Sequence, residues 1–252
     1  MDYFELVEIS TQHLELTSPA APEKLWTIGH YLGLNSEKRV IDFGCGYGQA
    51  LTLWAEDFGI SGVGVDIHQF LCKRATERVA ARALTELVEI VCSNAADYEF
   101  EAHSFDIASC LGASFIWGGY RQAIRKMKIA LCSGGKIVVG EPYYTHGKIP
   151  SKLIKYEGDL HTEFELMQIT REEGFEIEFV VRASGDDWDR YVSSSWYGLL
   201  RWIDENPDHI ERQYVIDYLH KSQDMYLKYQ RKYEGWALYI LNPREYLGFS
   251  EK

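Results

Sequence analysis

Residues 40–48 read VIDFGCGYG. A short apolar run carrying one carboxylate, Asp42, gives way to a loop with glycine at every second position, and a helical pattern follows. That succession predicts strand, tight turn and helix. Gly44, Gly46 and Gly48 lack a Cβ, so the backbone there can bend sharply and let a ligand come close. The helix opening at Gln49 aims its free N–H groups into the same space. A loop built only for an anion would not hold Asp42 at its mouth. A ligand that joins a cation to a polar nucleoside suits it.

Outward from this stretch, strands are expected at 39–43, 61–67, 86–92, 106–111, 136–141, 175–182 and 235–241. Helices are expected at 50–58, 69–83, 120–131, 162–173, 187–204 and 209–233. Ser18-Pro19 reads as the start of an earlier helix, an N-cap followed by proline, with Leu25, Ile28 and Leu32 on one face and Gly33 near its end. Residues 1–17 read as a short helix or an arm. Ser133-Gly134-Gly135 reads as a turn, Pro142 as the end of the fifth strand, and 145–158 as a mobile loop over the site. Strands that alternate with helices and are apolar on both faces imply a parallel sheet covered on both sides.

Bulk properties narrow the function. A chain of 252 residues can bury a substantial core. A net charge of −12 repels nucleic-acid phosphates. The N-terminus MDYFELVEIS shows no signal peptide, and no apolar run reaches the length of a membrane span. Cys45, Cys72, Cys92, Cys110 and Cys132 stand singly, so neither a metal site nor a disulfide framework is expected, and the compartment implied is the cytoplasm.

Asp42 and Asp66 each end a predicted strand ahead of a helix. In open parallel sheets ligands bind beyond the carboxyl ends of the strands, and a carboxylate there can accept both hydroxyls of a ribose. A dinucleotide fingerprint would need glycine three positions after Gly46, where this chain has Gln49. A pyrophosphate would also be repelled by Asp42. S-adenosylmethionine carries a sulfonium and an ammonium and would not be.

The stretches VIDFGCGYG, GVGVDI, SNAAD, FDIASCLGASF and LCSGGKIVVGEPYY occur in the order found in class I S-adenosylmethionine-dependent methyltransferases, and residues 20–144 resemble that family. The tail, through GEPYY, DDWDRY, RWIDENPD and GWALYIL, is similar to a bacterial subgroup of small-molecule methyltransferases, close to the ubiquinone/menaquinone-biosynthesis and cyclopropane-synthase-like branch. The resemblance implies a Rossmann-like α/β fold: seven strands, mostly parallel, the last antiparallel, helices on both faces, and extra helices in the C-terminal part. It implies that residues 1–35 form an arm and helix covering the site, 36–144 the cofactor-binding core, and 145–252 the rest of the sheet with a lid and the acceptor site. It places Asp42, Gly44, Cys45 and Gly46 around the methionine end, Gln49 among the cofactor-binding residues at the opening of the following helix, Asp66 on the ribose, and Ile67, Asn94 and Ala95 at the adenine. The backbone of Leu111 and Gly112 would meet the ammonium.

For the methyl acceptor, Trp117 sits in a loop flanked by Gly118 and Gly119, and Glu141 ends the fifth strand ahead of Tyr143 and Tyr144. Glu141 could act as base or electrostatic partner, with Trp117 and Tyr143 beside it, or each could be structural. Trp188, Tyr191 and Tyr144 are the candidates for an apolar or cationic acceptor. The tyrosines of 209–233 read more simply as core between helices, although an aromatic tail could also support a dimer. His13 and His30 are lone histidines, and Asp186-Asp187 reads as a helix cap. The leading expectation is methyl transfer to a small molecule. Two other classes remain open: a non-catalytic S-adenosylmethionine binder, and a nicotinamide-dependent oxidoreductase, against which Asp42 and Gln49 argue. A cyclopropane synthase is disfavoured because no basic amphipathic helix is evident.

Overall fold

The computed structural model describes residues 1–158 and 160–244. Its seven strands are β1 (Arg39–Phe43), β2 (Ser61–Asp66), β3 (Val88–Cys92), β4 (Phe105–Leu111), β5 (Leu131–Tyr144), β6 (Phe175–Arg182) and β7 (Glu234–Pro243). They form one sheet in the order β3-β2-β1-β4-β5-β7-β6. All neighbours pair in parallel except around β7, which runs antiparallel to both β5 and β6. The Rossmann-like expectation, including the reversed last strand, is met.

Nine α-helices of seven or more residues surround the sheet among the described residues. They are α1 (Tyr3–Thr11), α2 (Pro22–Leu32), α3 (Gln49–Phe58), α4 (Gln69–Ala81), α5 (Tyr120–Ala130), α6 (Ser151–Glu157), α7 (Glu163–Glu172), α8 (Gly185–Glu205) and α9 (Arg212–Met225). One face of the sheet packs Ile41, Val139 and Tyr239 against Tyr120, Ile124 and Met127 of α5 and Leu166 of α7. The other packs Val40, Val138 and Ile240 against Leu25 and Ile28 of α2 and Leu51 and Trp54 of α3. These alternating residues explain why both faces read as apolar.

Several boundaries differ from the sequence reading for identifiable reasons. Helix α2 starts at Pro22, not at Ser18-Pro19: Ala21 is extended (φ −116°, ψ 153°), as a residue before proline prefers, and Pro22 fills the first helical position. Strand β5 is longer than 136–141. Ser133-Gly134-Gly135 forms an irregularity inside it against β4, and Pro142 does not end it. Pairing with β4 stops at Leu111↔Gly140, so the proline lies where one side of the strand has no partner that needs its missing N–H. Residues 145–158 are not simply a loop. They include α6, whose Leu153 packs with Tyr144 and Met225. The expected long helix over 209–233 begins at Arg212 and passes into a π turn, Tyr226–Gln230.

Candidate functional site

The parallel strands β1, β2, β3 and β4 end along one edge of the sheet, and antiparallel β7 begins there. A cavity of about 440 Å³ lies at this edge. One end is lined by Gly44 and Gly46 after β1, Asp66 and Ile67 at β2, Asn94 and Ala95 after β3, and Leu111 and Gly112 at β4. Eight residues expected at the cofactor are thus brought together.

The glycine turn is held by the neighbouring strand. The N–H groups of Gly44 and Cys45 both donate to the Val65 carbonyl, at 2.8 and 3.1 Å. The Gly46 N–H donates to one Asp66 oxygen and the His68 N–H to the other, each at 2.9 Å. Each oxygen retains a lone pair for a diol. Gly46 is left-handed (φ 55°), and a Cβ there would stand 2.3 Å from the Thr17 hydroxyl. The close approach that glycine permits at this position is therefore made by the N-terminal arm.

Asp42 and Gln49 do not line the main cavity. They share an adjoining recess with Cys45, Thr17, Ser18 and Leu111. Burial pushes the Asp42 carboxyl up to about 7, with the charge of Asp66 adding to the rise and a 2.7 Å hydrogen bond from the Ser109 hydroxyl opposing it. The Oε1 of Gln49 is buried with no partner among the described residues. An orphaned acceptor beside a desolvated carboxylate suits the ammonium of S-adenosylmethionine, so the residues present fit this cofactor. Asn94 is locked in a turn, donating to Asp97 at 2.7 Å and accepting from the Ala96 N–H at 3.0 Å. Its oxygen still has a lone pair towards the cavity rim.

The N-terminal arm forms a wall that the sequence only hinted at. Tyr3, Phe4, Val7 and Ser10 of α1 line the cavity. A capping box between Asp2 and Glu5 starts this helix. The arm is fastened to the glycine turn and α4: the Tyr47 hydroxyl donates to Thr11 at 3.0 Å, Arg74 donates to the Gln12 carbonyl at 2.8 Å, and His68 Nε2 lies 2.9 Å from the Phe4 carbonyl. His13 packs edge-on against Tyr197, and His30 stacks on Trp26.

The acceptor candidates separate. Trp188 and Tyr191 of α8 line the cavity; Glu141, Trp117, Tyr143 and Tyr144 do not. Glu141 lies below the wall, accepting a 2.9 Å hydrogen bond from Ser114, whose neighbours Ala113 and Phe115 do line it. Burial pushes the Glu141 carboxyl up to about 7, and its Oε2 has no partner among the described residues. Trp117 packs edge-on against Phe43 at 5.2 Å. The Tyr143 ring covers Gly235, where a Cβ would meet it at 2.4 Å, and Tyr144 donates to the Gly158 carbonyl at 2.7 Å. Asp187 caps α8 and binds Lys24. Although burial opposes it, the Lys24 and Ser184 hydrogen bonds hold its carboxyl down to about 2.

Comparison with known proteins places this geometry. A family model described as a methyltransferase domain matches residues 40–135. A crystal structure of an S-adenosylmethionine-dependent methyltransferase from Thiobacillus denitrificans, in complex with S-adenosylhomocysteine, superposes with a TM-score of 0.90 at 32% identity, covering 97% of this chain and 100% of that one.

The chain belongs to the S-adenosylmethionine-dependent methyltransferases.

A second such methyltransferase, from Geobacter sulfurreducens and also in complex with S-adenosylhomocysteine, gives a TM-score of 0.90 at 31% identity over 95% of this chain and 98% of that one. The uncharacterized protein YjhP of Escherichia coli (strain K12) is 29% identical over 249 residues, 97% of this chain and its own full length. In this methyltransferase no helix among the described residues is long and apolar enough to cross a membrane. Membership decides against the nicotinamide reading. Tyr156, Tyr218 and Gln230 also line the cavity and were not singled out as site residues in the sequence. Tyr218 belongs to the aromatic repeat of α9, whereas Tyr156 sits in the stretch read as a loop and Gln230 in the π turn.

Proposed function

We propose that this methyltransferase transfers a methyl group to a small-molecule acceptor held at the end of the cavity lined by Trp188 and Tyr191. The observation that carries the reading is that one cavity joins the glycine turn and Asp66 to these rings. Its volume of about 440 Å³ is near the low end of small-molecule sites, about 300–1,000 Å³, so an acceptor sharing it with a cofactor is small.

S-adenosylmethionine supplies a methyl group on a positively charged sulfur. The residues of the chain bind and orient. Asp66 accepts the ribose hydroxyls, Ile67 and Ala95 flank the adenine, and Asn94 accepts from its amine. Asp42 and Gln49 meet the ammonium, with Gly44, Cys45, Gly46 and the backbone of Leu111 and Gly112 shaping the passage. Alignment of this kind can supply about 7–11 kcal/mol of barrier reduction. Helix α1 covers the cavity and excludes water. Glu141 and Trp117 support the 114–117 turn from below, while Tyr143 and Tyr144 pack β5 against β7 and α6. In this division residues 1–35 close the site, 36–144 hold the nucleoside and 145–252 supply the acceptor end. The five free cysteines fit a reducing cytoplasm.

The test is formation of S-adenosylhomocysteine by the purified protein with fractionated small molecules from cell extract. Acceptor-dependent product in the low-mass fraction, absent from Asp66→Ala, supports the reading. Product formed only with the macromolecular fraction overturns it.

A further inference from the structure

Another part of the cavity wall is built from side chains that converge from separate elements. Tyr3 of α1, Tyr156 of α6, Tyr191 of α8 and Tyr218 of α9 all line it. Among the described residues no protein group hydrogen-bonds the hydroxyls of Tyr156, Tyr191 or Tyr218. Gln230, from the π turn after α9, lines the same cavity.

Behind Gln230 stand two carboxylates. Gln230 Nε2 donates to Glu157 Oε1 at 2.6 Å, and its amide lies close enough to Glu234 to lower that carboxyl's pKa slightly against burial. Glu234 opens β7, the strand whose reversal brings its first residue to the ligand edge, opposite Tyr144. It is 8% exposed, and its Oε1 has no partner among the described residues. Neither glutamate has an ion-pair partner among the described residues. Lys221 lies over the Tyr156 ring, 4.9 Å from its centroid. A buried carboxyl beside a half-buried one, with no counter-charge, is costly to ionise, and a cation held near them at Gln230 relieves that cost.

We propose that Glu157 and Glu234, through Gln230 and within the ring of Tyr3, Tyr156, Tyr191 and Tyr218, form the recognition site for a positively charged amine on the methyl acceptor. This rests on the reading of the cavity as a methyltransferase acceptor site. Aromatic faces attract a desolvated cation, and the free phenol hydroxyls can accept its N–H groups. Glu157, and Glu234 once it has lost its proton, repel an acceptor whose recognised group is a carboxylate or phosphate. Desolvation, followed by the charge of Glu157, pushes the Glu234 carboxyl up to about 8, and burial raises Glu157 as well. A bound ammonium would favour loss of the Glu234 proton.

Ligand-observed NMR titration with propylammonium, 1-propanol and propionate tests the proposal, since the three probes are similar in size and differ in charge. It is run with and without saturating S-adenosylhomocysteine. Propylammonium is expected to bind at least tenfold more tightly than 1-propanol, and propionate more weakly than both. Glu157→Gln combined with Glu234→Gln should erase the preference, and Tyr191→Leu should weaken the ammonium at least fivefold. Equal binding of the three probes by the wild-type protein, or an ammonium preference that survives the double substitution, overturns the proposal. Failure of S-adenosylhomocysteine to bind would instead overturn the cofactor reading, and the probe comparison on the free protein would still decide this one.

Discussion

The two ends of the cavity are built in opposite ways. At the glycine end the geometry is carried by backbone: Gly44, Cys45 and Gly46 donate their N–H groups to Val65 and Asp66 of the adjacent strand, and the side chains that matter sit at strand ends. At the tyrosine end the backbone contributes little, and rings and carboxylates from α1, α6, α8, α9 and β7 meet across long stretches of sequence. The first kind of site is tied to the fold and tolerates little change. The second can be rebuilt by side-chain substitution while the sheet stays the same, which is how one fold serves many acceptors.

The largest effect that would sharpen this contrast is at Asp66. Asp66→Ala removes the acceptor for the Gly46 and His68 N–H groups as well as for the ribose. Calorimetry should show S-adenosylhomocysteine binding weakened at least about 100-fold, about 3 kcal/mol, whereas Tyr191→Leu should change it little. Equal losses in the two variants would break the division. Next is Gly46→Ala. The added Cβ meets Thr17 and the left-handed backbone disfavours it, so thermal denaturation should report about 1–3 kcal/mol of lost stability, and hydrogen exchange should quicken in α1.

How much was legible in the sequence follows the same line. The glycine turn, Asp66 and the seven strands could be read because they are local: spacing, apolar runs and strand-end carboxylates lie within short windows. Glu141 read as an acceptor-site residue because it ends an apolar run, but its face of β5 turns into the core, where Ser114 meets it. Pro142 read as a stop because a sequence does not show that β4 has already ended beside it. Glu157 and Glu234 carried no signal. They are far apart in the chain and meet only because β7 runs backwards and a π turn delivers Gln230 between them.

A smaller effect concerns the arm. Tyr47→Phe deletes the hydrogen bond to Thr11, about 0.5–1.5 kcal/mol, and should speed S-adenosylhomocysteine release in stopped-flow measurements by up to about tenfold. The smallest is a pH effect. Glu234 keeps its proton to about 8 in the folded chain but loses it near 4.5 when unfolded, so the native state binds more protons between these values. Its contribution to stability is therefore full below about 4.5 and lost as pH rises through about 8. Asp42 and Glu141, each pushed up to about 7, act in the same direction. Melting temperatures of ligand-free protein should fall from pH 5 to pH 8, and Glu234→Gln should flatten that fall; an unchanged slope would count against a desolvated Glu234.

The most direct test of a cofactor end facing an acceptor end is a crystal structure with S-adenosylhomocysteine bound. The account predicts the ribose hydroxyls on Asp66, the adenine beside Ile67 and Ala95, and the sulfur open to the space bordered by Trp188 and Tyr191. Adenine lodged among Tyr156, Tyr191 and Tyr218, or a sulfur walled off from them, would contradict it.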